Sequence, residues 1–210
     1  INLTYIEDNY LEFEEVKKRA DLSSDELNKL IEEKLIPSPS YIIDSEITIS
    51  SPLNDNHKIV VSKKYFAKNI IDLIKNNKAK TYEKLKEEFK QNLLFNLENH
   101  NHKTFAYGNV LNENEEVDVE KADKVLDEEW DYFCKGVYGI CTLNNNENAV
   151  IEKEIAIKRI LNFIEQKSSL LTKEDEMHLI ELNAELNKST SNFATYQREL
   201  SSRGKYLDKL

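Results

Sequence analysis

With 210 residues at 40% hydrophobic content, the chain is long enough to bury one substantial core, or a core with a small appended module, unaided by disulfides. Four Gly and three Pro against abundant Glu, Lys, Leu and Ile exclude an all-β architecture, which needs far more turn residues, and leave a mainly α protein. A formal charge of -10 argues against nonspecific attraction to nucleic acid or anionic lipid, and with no apolar run near a membrane span of roughly 18 residues and no leader-like opening, a cytoplasmic location is expected.

In chain order, residues 10 to 40 read as a small helix-turn-helix. EFEEVKKRA supplies the first helix and Asp21-Leu22 the turn. Ser23 with Glu26 three positions on is a capping box that opens the second helix. Leu35, Ile36 and Pro37 stop that helix. The segment from EFEEVKKRA to LIPSPSY resembles the opening helix-turn-helix of MerR-type regulators, with its exit towards a wing. A DNA-reading helix needs Arg, Lys or Asn on its open face, whereas this one offers Asp25, Glu26, Glu32 and Glu33 against Lys29, so the resemblance implies fold more than DNA binding.

YIIDSEITIS and HKIVVS are β-branched runs joined by SPLNDN, which predicts a β-hairpin, and Tyr41 at its start is a candidate to face a ligand. From Lys63 the pattern is read as helical, with Phe66, Ile70, Leu73 and Ile74 on one helix and Tyr82, Leu85, Phe89, Leu93 and Leu97 on the next. Glu87 and Glu88 border that second apolar face, where partial burial would raise a carboxylate's pKa and suit it to general-base work. HNHKTFAYGNVLNENEEVD reads as a long loop. Its His100 and His102 form a metal-type pair without a third ligand, so no metal is assigned.

Between Glu113 and Asp131 the acids suit a helix start at Asp118. The apolar phase from Val119 through Trp130, Phe133, Cys134, Val137, Tyr138 and Cys141 predicts one long helix with those residues in the core. Gly136 and Gly139 fall on its other side, where a backbone or a ligand can come close. At about 1.5 Å per residue the two cysteines would stand about 10 Å apart on such a helix, too far for a disulfide. Two further helices follow, over Ile151 to Ile164 and from Thr172 to Leu186. The tail then gathers Tyr196, Arg198, Ser201, Ser202 and Arg203, whose guanidiniums can hold a carboxylate or an acidic helix start.

The divided chain is therefore expected to have a helix-turn-helix with a hairpin at 1-62 and a helical domain at 63-210. LIPSPSY (Leu35 to Tyr41), the W...G.YG.C segment (Trp130, Gly136, Tyr138, Gly139, Cys141) and the F..Y.R..S.R ending (Phe193, Tyr196, Arg198, Ser202, Arg203) together resemble a bacterial natural-product-biosynthesis family. Through it they resemble Pictet-Spengler cyclases that form β-carbolines. The resemblance implies a small-molecule enzyme, without cofactor, condensing an aromatic amino acid or amine with an aldehyde. Residue chemistry then nominates Glu88 or Glu87 as base, Arg198 or Arg203 for the substrate carboxylate, and Tyr138, Trp130 and Tyr41 as aromatic walls. A homodimer is among the expected assemblies. The alternative is a MerR-like regulator or a partner-binding helical protein without catalysis.

Overall fold

The computed structural model describes residues 2–167 and 171–208. It is mainly helical, a helical bundle with a small three-stranded antiparallel sheet. The N-terminal part runs α1 (Asn2–Asn9), β1 (Tyr10–Glu12), α2 (Phe13–Ala20), α3 (Ser24–Glu32), β2 (Tyr41–Ser50) and β3 (Asn56–Ala67). Asp21 adopts the left-handed conformation that ends α2, and the Ser23–Glu26 capping box opens α3 with both reciprocal bonds made, so the turn between the helices follows directly from local sequence.

The hairpin forms, but it reaches beyond its expected end. β3 continues to Ala67 because β1, which the sequence reading did not assign, pairs with it at Tyr10↔Ala67, Leu11↔Phe66 and Glu12↔Tyr65. Phe66 is therefore a strand residue buried against α2 and its neighbours, and the next helix, α4 (Ile70–Asn77), starts later than its pattern suggested. The outer stretch of the hairpin stays open to solvent, with Ile42, Ile47, Ile49 and Val60 exposed.

Three long helices, α5 (Tyr82–Glu98), α7 (Val119–Cys134) and α9 (Glu147–Glu165), enclose the main core, and α10 (Lys173–Ser189) packs along α9. The expected caps Asp118 and Thr172 both accept from the backbone three residues on, and Asn146 does the same for α9. The expected loop after α5 instead folds into the short helix α6 (Thr104–Tyr107) and a 3₁₀ turn over Gly108–Val110, which insert Tyr107 and Val110 into the core. On α10, Met177 and Ile180 lie exposed rather than packed.

The central correction concerns the Trp130 to Cys141 stretch. It is not one helix: α7 ends at Cys134, Gly136 takes φ +77, and a separate turn, α8 (Tyr138–Cys141), follows. The break has a visible cause. Ser38 donates its backbone N–H to the Cys134 carbonyl (2.8 Å) and Ser40 Oγ donates to the Gly136 carbonyl (3.0 Å), so the loop leading into β2 takes the acceptors a continuing helix would have used. A Cβ on Gly136 would overlap the Ser38 carbonyl oxygen. The kink throws Val137 out to the surface, against its expected place in the core, while Trp130, Phe133, Cys134 and Tyr138 remain buried.

Replacing Gly136 with Ala should therefore destabilise the fold by about 2 kcal/mol or more, since positive φ and steric overlap act together. Chemical denaturation would measure this, and a loss below roughly 0.5 kcal/mol would show that the kink does not need glycine.

Candidate functional site

The residues nominated from sequence are not gathered in one place. Glu88 pairs with Lys80 (2.5 Å), and Glu87 is exposed and accepts from Gln91 (2.7 Å). Arg198 forms a two-pronged pair with Asp208 at 2.6 and 2.9 Å, while Arg203 donates to Asn183 (2.7 Å) and Asn187 (2.5 Å). Both guanidiniums thus tie the C-terminal segment together. Tyr41 is buried and donates to Gln197 (2.6 Å), which links the hairpin base to the 3₁₀ segment Thr195–Leu200. Trp130 and Tyr138 do share a neighbourhood, an aromatic cluster with Phe89 and Phe133, in which the Trp130 indole N–H donates to Tyr82 (3.2 Å).

A carboxyl, an ammonium, a thiol and two phenols converge out of water behind α8. Tyr138, fully buried, donates its hydroxyl to Glu129 on α7 (2.8 Å). Burial raises the Glu129 carboxyl above the ordinary value; the Tyr138 hydrogen bond opposes this, and the negative charge of Glu154 reinforces it. Lys153 on α9 is buried with its ammonium 3.1 Å from Glu154 and 3.5 Å from Cys141 Sγ. Burial works against the Lys153 charge, but its neighbours outweigh it and hold the amine protonated. Burial keeps Cys141 above the ordinary thiol value despite the facing ammonium, so it stays a thiol rather than a thiolate. Both cysteines are free, and the Cys134 thiol, sealed in the core, is pushed up to about 12.

Tyr107 from α6 completes this cluster. Its hydroxyl is buried and has no hydrogen-bond partner among the described residues, while burial and then the charges of Glu129 and Glu154 raise its pKa. The arrangement offers a carboxyl raised above the ordinary glutamate value, a fixed ammonium and a phenolic donor unpartnered among the described residues. Of this set, Tyr138 and Cys141 stand out in the sequence as apolar-face positions beside the two glycines. Glu129, Lys153 and Tyr107 were not nominated from it. Glu129 sits one residue before Trp130, in a run of acids that looks like solvated surface. Lys153, on a helix recognised as flanked on both sides, was the readable signal.

A second feature is a polar cleft of about 560 Å³ between the end of α5, α9 and α10, lined by His100, His102, Glu152, Arg159 and Glu185 among others. His100 accepts from the His102 backbone N–H at Nδ1 (3.1 Å), so its Nε2 carries the proton facing Glu152 (3.2 Å). Burial, then Arg159, lowers the His102 pKa. Among the described residues no group of three His, Cys, Asp or Glu is placed to hold a metal ion. No described helix is long and apolar enough to cross a membrane.

A family described as a family of unknown function (DUF6058) matches residues 85–210, more than half of the chain. The chain belongs to DUF6058. The matched span contains α7, α8, α9 and the whole Glu129 cluster, while the N-terminal sheet module lies outside it. No curated protein and no solved structure matches the chain.

The Glu129 cluster has a measurable cost. A carboxyl whose folded pKa is raised binds its proton more tightly in the folded state, so stability is fully present below the unfolded value and declines as pH rises towards the folded one. Glu129→Gln keeps an acceptor for Tyr138 without the charge. It should raise Tm at pH 7 and flatten the decline across the range from the ordinary glutamate value to neutral. Thermal unfolding across that range would check it, and a lower Tm for the variant at pH 7 would contradict the assignment.

Proposed function

We propose that the chain is a cytoplasmic, cofactor-independent enzyme of small-molecule biosynthesis that works by carboxylate general-base catalysis, with Glu129 as the base. The observation that carries this reading is the Glu129 carboxyl bonded to Tyr138 and raised by burial, next to an ammonium and an unpartnered phenol. Such groups usually cost stability, and their convergence supports the reading of a reaction centre. Lys153 would hold an anionic or developing negative group. Tyr107 would donate to a substrate oxygen, and the edge of Glu129 that remains open to solvent would admit the reacting carbon's proton.

The resemblance to Pictet-Spengler cyclases supplies the reaction to try first. An amine condenses with an aldehyde, losing water to give an iminium; an indole carbon attacks the iminium carbon, and a base removes the proton left on the ring. Only the last step needs the protein to take a proton, and a carboxylate of raised basicity is suited to it. Glu129 replaces Glu88 and Glu87 in this role because Glu88 is engaged by Lys80 and Glu87 stands in solvent. The tail arginines become struts, and the cation whose charge acts on Glu129 is Lys153. The regulator alternative has less support: the open positions of α3 are Asp25, Glu26, Lys29, Glu32 and Glu33, an acidic face that phosphate would avoid.

Incubation with tryptophan and an α-keto aldehyde should yield a 1-acyl-tetrahydro-β-carboline, followed by mass spectrometry. Glu129→Gln should lower turnover by about 100-fold or more, whereas Glu88→Gln stays near wild type. Wild-type turnover by Glu129→Gln would remove Glu129 as the base, and absence of product with the wild-type chain would remove this reaction.

A further inference from the structure

The β2–β3 hairpin carries an apolar strip that the fold leaves open. Its antiparallel register sets Ile43 opposite Lys63, Ser45 opposite Val61, Ile47 opposite Ile59 and Ile49 opposite His57, and paired residues project from the same face. One face of the ribbon therefore gathers Ile43, Ile47, Ile49, Ile59 and Val61. The opposite face carries Asp44, Glu46, Lys58 and Lys64, with Lys58 paired to Glu46 at 2.8 Å, and is suited to water.

The apolar face begins under cover. At the hairpin base Tyr41 and Tyr65 are buried with Ile6 and Tyr10, and Ile43 packs against that cluster. Beyond Ile43 the cover ends while the strands run on to the Ser50↔Asn56 pair. Ile47 is 42% and Ile49 49% exposed there, and Ile59 and Val61 are half-buried. A two-stranded ribbon is marginal in water unless one face is packed, and this strip is the face that the body leaves unpacked.

Charge indicates what covers it. Within residues 41–67, Asp44, Glu46 and Asp55 are balanced by Lys58, Lys63 and Lys64, so the formal charge of -10 is carried entirely by the rest of the chain. A basic partner would be drawn to that acidic body instead, and an anionic membrane would be repelled by it. A second copy meets no net charge at the hairpin, and the apolar face of one copy is matched by the same face of the other about a two-fold axis. We propose that the hairpin is a dimerisation arm: the apolar faces of two copies pack against each other, sheet on sheet about 10 Å apart, with Ile47 and Ile59 at the centre. The strip offers roughly 400 Å² of accessible surface per copy, at the small end of specific interfaces, so the dimer is weak and reversible. It stands whether or not Glu129 is catalytic.

Sedimentation equilibrium of the full chain tests the arm. The wild type should show a monomer–dimer equilibrium with Kd of about 10–100 µM. Ile47→Lys sets an unpaired charge at the centre of the strip and should raise Kd about tenfold or more. Ile47→Leu keeps the strip apolar and should stay within about threefold of wild type. Val60→Lys lies on the opposite face, where Val60 is 76% exposed, and should leave Kd within about twofold although it removes a more exposed apolar side chain than Ile47. All three positions stand on the outer stretch of the hairpin, so the far-UV circular dichroism of each variant should match wild type. A wild type that stays monomeric up to about 300 µM, a Kd insensitive to Ile47→Lys, or an equal loss with Val60→Lys would each overturn the arm.

Discussion

The packing of Gly136 against the Ser38–Pro39 backbone is the constraint on which the rest of the structure depends. An apolar pattern that would otherwise run from Val119 to Cys141 as one helix is broken there, because Ser38 and Ser40 occupy the Cys134 and Gly136 carbonyls. Only a residue without a side chain fits the approach, and only glycine takes its backbone angle without strain. The joint couples the N-terminal sheet module to the helical core through hydrogen bonds rather than through a flexible linker.

Two consequences follow from the kink. The α8 turn is rotated out of the line of α7, so Tyr138 reaches back to Glu129 and Cys141 faces Lys153, contacts that a straight helix would not have aimed at the same neighbours. The same turn buries Gly139 against the N-terminal module, where the Tyr10 hydroxyl closes on its carbonyl and Ser40 and Ala67 leave no room for a side chain. Ser191 adds a hydrogen bond to the Ile140 carbonyl from the segment after α10. Four residues of α8 thus hold together the N-terminal module, the main helices and the tail. The three segments on which the family resemblance rested turn out to be physical neighbours, since Ser38 and Ser40 bond the W...G.YG.C kink and Tyr41 bonds Gln197 in the tail.

What could be read in advance was set by local rules. The Ser23–Glu26 box, the Asp118 and Thr172 caps and the apolar faces of α5 and α9 all depend on residues within a few positions of one another, and they formed as expected. What could not be read depended on distant partners. Phe66 belongs to a strand only because Leu11 pairs with it, and Val137 is outside the core only because Ser38 intervenes a hundred residues away in sequence. The same holds for the site. Glu129 is indistinguishable in sequence from Glu128 beside it, and becomes special only when Tyr138 folds over it. Arg198 and Arg203 looked like ligand-binding cations because their partners, Asp208, Asn183 and Asn187, are supplied by the fold.

The chemistry of one carboxyl is thus tied to the geometry of one glycine. The measurement that tests this most directly is the titration of the Glu129 side-chain carboxyl by carbon-13 NMR in the wild-type chain and in Gly136→Ala. Glu129 should titrate clearly above the ordinary glutamate value in the wild type and fall towards it when the kink is disturbed. A wild-type Glu129 that titrates as an ordinary surface glutamate would contradict this.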